Sequence, residues 1–342
     1  MPKNTAASSL EKQACVRFSD ISSVSAGKRR GFCRLHVVTL ILAALVAGCH
    51  RQTSDVQIVA SFHNLSEPFF VAMRRNATDE ARRLGVDLLI VDAQSNSAKQ
   101  TTDIETAVAT GTKGIIIAPN DLNALTPAVN YVLANDVPIV SVDRKVDKAD
   151  KAVPHFGADN VTGGRMMAQY VVDHFPQGAG IVLLTGSPGS SSAIDRSKGI
   201  HDVIRAAGSN YKILAEQTAN WQRDQGLTVM QNILTSLGPM RPQVIIAEDD
   251  DMALGAVEAV RSADITGIEV IGFNATPEAL KMVRNGDMAA TVEQSPSRQI
   301  RTALDQLVAS IRRREPLVGA MIKPILITRE NLNEAERIAE AR

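Results

Sequence analysis

Pro138-Ile139-Val140-Ser141-Val142-Asp143-Arg144 decides how the rest of the chain is read. A short apolar run rich in β-branched residues has the pattern of a buried parallel strand. It ends on a carboxylate and a guanidinium side by side, and in open α/β sheets the carboxyl ends of the strands are where ligands bind. An ionised Asp143 can only accept hydrogen bonds, whereas Arg144 can only donate them through a rigid planar fork. Together they can grip adjacent hydroxyls of one polyol. The plainer alternative is a surface ion pair at a strand end.

Working outward, the chain alternates strand and helix from Val56 on. Strands are predicted over 56–62, 86–91 and 114–118, with helices over 68–84, 98–110 and 124–134 between them. After a loop at Gly157-Ala158-Asp159-Asn160 the same grammar repeats, with strands at 180–184, 211–215, 244–247 and 268–273 and helices after Gly163, Ser192, Gln225 and Met252. A tail of strand 288–292, helix 298–311 and strand 322–327 lies beyond both units. The expected fold is α/β, with two doubly wound parallel-sheet lobes, a multi-strand hinge and a ligand cleft between them. The N-terminal lobe is expected to hold 56–157 plus 295–322, and the C-terminal lobe 158–294 plus 323–342.

Residues 1–49 read as an export signal and 50–55 as a linker. Lys28, Arg29, Arg30 and Arg34 precede an apolar run from Val37 to Val46, which is too short to span a bilayer. The run closes in Leu45-Val46-Ala47-Gly48-Cys49, which resembles a bacterial lipobox, so Cys49 is the expected lipidation site. Arg29-Arg30 also resembles a twin-arginine signal, although basic leaders often carry paired arginines. The stretch before Lys28 is long for a leader, which points to a start further downstream. Cys15, Cys33 and Cys49 all lie in this segment, so no disulfide is expected within the fold. The predicted location is the periplasmic or extracytoplasmic face of a membrane, held by lipid.

With 37 basic and 37 acidic residues the formal net charge is zero, which gives no electrostatic grip on nucleic acid. A small, uncharged partner fits better. Seven strand ends carry polar or aromatic groups: His63 to Phe70, Asp143-Arg144, Ser187 to Arg196, Asn220-Trp221, Asp249 to Asp251, Asn274 and Gln294. Their convergence on one sheet edge would line a cleft for a hydroxyl-rich ligand. Glu67, Asp143 and Asp249 could be drawn as a glycosidase-like acid/base set, but the same groups serve ground-state hydrogen bonding. Gly186-Ser187-Pro188-Gly189-Ser190 lacks phosphate-loop and nucleophile-elbow spacing and reads as a turn with serine caps. The six histidines show no paired ligand spacing, and neither metal nor cofactor is expected. Of the three consecutive aspartates, Asp250 or Asp251 is the expected helix cap and Asp249 the ligand contact.

Several ordered motifs resemble the ribose-binding protein branch of the periplasmic sugar-binding proteins. They are Glu67-Pro68-Phe69-Phe70, Val142-Asp143-Arg144, Ala158-Asp159-Asn160 with Gly163-Gly164, Ala193-Ile194-Asp195-Arg196, Val229-Met230-Gln231-Asn232, Asp250 to Ala256 and Gly272-Phe273-Asn274-Ala275-Thr276-Pro277. The likeness runs from about 56 to 331. It implies a non-enzymatic, monomeric receptor that closes on a monosaccharide and presents it to the membrane subunits of an ABC importer. Carried over by position, Phe69, Phe70 and Trp221 would stack on the sugar. Asp143, Arg144, Arg196, Asp249, Asn274 and Gln294 would take its hydroxyls, with His63 and Glu67 added. Ribose binders usually have asparagine at Glu67, serine near His63, asparagine at Asp249, aspartate at Asn274 and phenylalanine at Trp221, so the departures point away from ribose. Sugar-responsive repressors share the architecture but begin with a helix-turn-helix, where this chain has a signal. A receptor that hands a sugar or autoinducer signal to a membrane sensor is the remaining alternative.

Overall fold

The computed structural model describes residues 56–341, Lys148 excepted. The leader, Cys49 and the linker lie outside the described residues. The first series of elements is β1 (Gln57–Phe62), α1 (Pro68–Leu84), β2 (Asp87–Asp92), α2 (Ser97–Ala109), β3 (Gly114–Ala118), α3 (Thr126–Ala134), β4 (Ile139–Val142) and β5 (His155–Ala158). The second is α4 (Asn160–His174), β6 (Ala179–Thr185), α5 (Ser191–Ala207), β7 (Tyr211–Thr218), α6 (Arg223–Leu237), β8 (Val244–Ala247), α7 (Asp250–Ser262), β9 (Glu269–Phe273), α8 (Pro277–Asn285) and β10 (Ala290–Glu293). Then come α9 (Pro296–Arg313), β11 (Ala320–Ile322) and β12 (Ile325–Ile327).

Two six-stranded sheets result, in the orders β11-β5-β4-β3-β1-β2 and β12-β10-β9-β8-β6-β7. Their pairings are parallel except β10 with β12. Strand side chains alternate between two covered faces, as the twofold period requires. In the first sheet Ile116, Val140 and Val142 pack under α1 and α9, while Ile115, Ile117 and Ile139 pack under α2 and α3. In the second, Val182, Leu184 and Ile245 face α6 and α7, and Ile181, Leu183 and Val244 face α4 and α5. Burial on both faces is why the central strands are continuous apolar runs rather than alternating ones.

Two local expectations are corrected. The segment at Gly157-Ala158, expected as a loop, belongs to strand β5, which pairs with β4 and β11. The expected single strand 322–327 is two strands in different sheets, β11 beside β5 and β12 antiparallel to β10. Pro324 stands between them and has no N–H for a ladder, so pairing must break there. The chain therefore passes between the sheets three times: after β5, between β10 and α9, and between β11 and β12.

Candidate functional site: a cavity between the two sheets

The first wall is built at the ends of β1 and β4. Glu67 occupies the extended cap position of α1, with Pro68 in the first turn where a missing N–H costs nothing. This start turns Phe69 and Phe70 inward, edge to face at 5.1 Å. At the end of β4, Asp143 has φ of 58° and Arg144 N donates to Val142 O at 2.5 Å. That is a tight γ-turn, a strained conformation of the kind that concentrates at functional sites. The turn drives both side chains out of the sheet and into the interior, leaving them only 4% and 2% exposed. They are not a surface pair.

The second wall is tied together more heavily. Gly164 and Gly199 let α4 and α5 cross at backbone contact, since a Cβ at either would strike the other helix's main chain. The close crossing brings Arg196 inward, where its Nε donates to Asn160 Oδ1 at 2.8 Å and its Nη1 to Glu248 O at 2.5 Å. Its guanidinium lies 3.6 Å over the Phe273 ring. Trp221, with φ of 64°, packs its ring against the bare backbone of Gly186. The ring also stands 5.5 Å from both the Arg144 and the Arg196 guanidinium. Asp249 is the N-cap of α7, accepting from Met252 N at 2.9 Å with Oδ1. This corrects the expected division of labour. Asp250 instead accepts from Thr276 N and Thr291 Oγ1, both at 2.7 Å. Asn274 accepts from Gln294 Nε2 at 2.7 Å.

The walls meet around a small cavity lined by ten of the eleven residues predicted to bind ligand. The exception is His63. It lies behind the wall, with Nε2 2.8 Å from Glu67 Oε1 and its ring edge-on to Phe70 at 4.6 Å. Burial and then Arg144 lower its pKa, so it is a neutral prop for Glu67 rather than a wall residue. The lining residue missed from the sequence is Ser192, whose hydroxyl donates to Asp143 O at 3.4 Å. It lay inside the polar stretch 187–196 but was indistinguishable there from a capping serine. The serine-cap expectation itself fails, because Ser190 sits at the cap position without making a capping bond. Further contacts close the rim: Leu122 N donates to Gly189 O at 2.8 Å and Lys145 Nζ to Asp195 Oδ2 at 2.6 Å.

Charge and hydrogen-bond capacity define what fits. Asp143 Oδ1, Arg144 Nε and Nη1, and Trp221 Nε1 are buried without a protein partner. Unmet buried polar groups are rare and need a cause. Burial pushes the Asp143 carboxyl up to about 6, against the opposing pull of Arg144 and Arg196. Burial and then Asp251 hold Asp249 well above the usual carboxylate range. Three carboxylates and two guanidiniums in so small a space nearly balance, so the arrangement suits a neutral ligand that both donates and accepts. The cavity's free space, about 20 Å³, is far below the roughly 300–1,000 Å³ of drug-sized pockets, so the two walls stand nearly closed on each other. No group of metal-ligating side chains occurs among the described residues.

Known proteins resemble this chain over most of its length. A periplasmic binding protein domain model matches residues 58–315. The ribose import binding protein of Salmonella typhimurium is 35% identical over 260 residues, covering 76% of this chain and 86% of that one. Among solved structures, the Caulobacter myo-inositol binding protein bound to myo-inositol is 51% identical, with a TM-score of 0.83 over 86% of this chain and 100% of that one. A solute binding protein of Actinobacillus succinogenes with bound D-allose is 29% identical, with a TM-score of 0.76 over 82% of this chain and 100% of that one.

Proposed function

The chain belongs to the periplasmic binding protein family, in its sugar-binding ribose branch, and we propose that it captures a cyclic polyol of the myo-inositol kind for an ABC importer. The observation that carries this reading is the set of unpartnered groups on Asp143, Arg144 and Trp221 facing one small cavity. A cyclitol has a hydroxyl on every ring carbon and no charge. Its hydroxyls can donate to Asp143, Asp249 and Glu67 and accept from Arg144, Arg196 and Trp221. Its C–H faces suit the flat rings of Phe69, Phe70 and Trp221. The 51% identity to a protein solved with myo-inositol supports the same ligand. So do the departures from the ribose pattern at His63, Glu67, Asp249, Asn274 and Trp221.

Transport requires opening and closing. The three passages between the sheets, near 158–160, 293–296 and 322–325, are the natural hinge, dividing the lobes at 158/159, one residue later than expected because Ala158 closes β5, and at 294/295 and 322/323. Ligand touching both walls makes its full contacts only in the closed state, which is the differential affinity that closure needs. The cavity is complete within one chain, which supports action as a monomer. Lipid on Cys49 would keep the receptor beside its membrane partner, and the expected mass of the membrane-extracted protein includes that lipid.

Calorimetry and thermal shift on the purified exported protein, with myo-inositol, D-allose and D-ribose in parallel, test the ligand. At one common concentration myo-inositol should give the largest stabilisation, about 2.7 kcal/mol where that concentration is a hundredfold above its Kd. A shift with ribose and none with myo-inositol would overturn the cyclitol assignment.

A further inference from the structure

We propose that Arg337 is a positioning residue for this cavity. From the C-terminal segment, outside the wall, it holds the Asn274 turn in the shape that presents the Asn274 amide to ligand. The inference rests on the proposed binding function for its ligand readout but not for its structural one.

After β12 the chain makes two short 3-10 turns, Leu332–Glu334 and Ile338–Ala341, and returns along α8. Ala335 and Ala341 are buried with Ala275, Leu280 and Ile327, and Arg284 Nη1 donates to Ala341 O at 2.7 Å. Within this strap Arg337 is only 5% exposed, although it does not line the cavity. Its Nη2 donates to Asn274 O at 3.3 Å.

The turn it reaches is strained. Asn274 has φ of 114° and Ala275 φ of 46°, two consecutive non-glycine residues in a region that L side chains rarely enter. Such conformations persist only where the surroundings over-determine them. The N–H groups are each held: Asn274 N donates to Val292 O at 2.7 Å, Ala275 N to Thr291 Oγ1 at 3.1 Å and Thr276 N to Asp250 Oδ2 at 2.7 Å. Arg337 supplies the complementary hold on the Asn274 carbonyl. On the side-chain face, Gln294 fixes Asn274 Oδ1 and is itself fixed by Gln299 Nε2 at 3.2 Å. The amide nitrogen of Asn274 is thereby left for the ligand.

The same strap pins the second passage between the sheets. Glu293 accepts from Ser295 N at 2.6 Å and from Glu336 N at 2.9 Å. Burial raises the carboxyls of Glu293 and Asp251, and the Arg337 cation pulls both back toward the ionised form. One guanidinium thus contacts the turn and acts through its charge on the passage and on Asp251.

Hydrogen exchange and calorimetry on Arg337→Met, Arg337→Lys and the double variant Arg337→Met/Asn274→Gly decide the matter. Arg337→Met keeps the volume and removes the cation. It should speed amide exchange at 274–276 without any ligand, and raise the Kd for myo-inositol about tenfold. Arg337→Lys should recover most of both. Glycine adopts positive φ freely, so in the Asn274→Gly background the Arg337→Met penalty should vanish. Unchanged exchange at the turn, or an equal penalty in the glycine background, overturns the proposal. So does a lower Tm with exchange and Kd intact, which marks a merely structural arginine. If the parent binds no polyol at all, the cyclitol reading fails, and exchange at 274–276 alone still decides whether Arg337 holds the turn.

Discussion

The two walls of the cavity are made from the same kinds of residue but are held in opposite ways. On the first wall Asp143 and Arg144 project from a strained turn with polar atoms unpaired, their mutual approach being 3.7 Å. On the second, Arg196, Asp249 and Asn274 each already have a hydrogen bond to their own lobe or the adjoining crossing. One wall stores unmet capacity, while the other is organised in advance. Preorganisation lowers the ordering cost of binding, and unmet capacity gives the ligand something to satisfy. A receptor that must both recognise and close on its ligand benefits from having the two on facing lobes.

The largest effects should separate the two arginines. Arg144→Ala removes donors that only a ligand can use, so affinity should fall by about 2 to 5 kcal/mol while the ligand-free Tm moves little. Arg196→Ala severs bonds to Asn160 and Glu248 and uncovers the Phe273 ring, so it should lower the ligand-free Tm as well as the affinity. Calorimetry beside a thermal melt of each variant checks this. Equal Tm losses in both would erase the distinction between the walls.

Trp221 spans that distinction, being packed into the core of its own lobe yet carrying an unpartnered indole N–H. Trp221→Phe should retain most of the packing and lose the donor, and Trp221→Ala should weaken binding by about 1 to 3 kcal/mol. As the only tryptophan in the chain, its emission reports directly on the site. Saturable change in that emission with the calorimetric Kd is expected, and silence with a proven ligand would remove Trp221 from the site.

The unequal legibility of the walls in sequence has a physical cause. Strands such as Ile115-Ile116-Ile117 announce burial by composition, and strand-end side chains can be placed because sheet direction fixes which end they occupy. The three-residue strands β11 and β12 are too short for periodicity to divide, so only the partner strands reveal that they belong to different sheets. His63 sits on the same chain end as Glu67, and nothing in their spacing tells which carboxylate or ring reaches the cavity. Asp249 was separable from Asp250 only through Thr276 and Thr291, which lie 26 and 41 residues away. Arg337 is still further from any motif, and its contact with Asn274 depends on the return path of the tail.

The smallest effect concerns pH, and stability and binding should respond with opposite signs. Burial raises Glu248 and Asp250, beneath the second wall, to about 7, and Asp143 on the first to about 6. An acid whose folded pKa exceeds its unfolded value contributes stability that is complete below the unfolded pKa and is lost as pH rises through the folded one. The ligand-free Tm should therefore rise as pH falls from about 8 to about 5. Binding should move the other way. Protonated Asp143 accepts less well, and one pH unit below its pKa the ionised fraction is down about tenfold, or about 1.4 kcal/mol. The ligand-induced Tm shift should thus shrink over the interval in which the ligand-free Tm climbs. Asp143→Asn should flatten the binding arm and leave the stability arm, because Glu248 and Asp250 remain. Melts from pH 5 to 8, with and without saturating polyol, measure both arms at once, and two arms that fall together on acidification would show that the carboxylates of both walls serve one purpose.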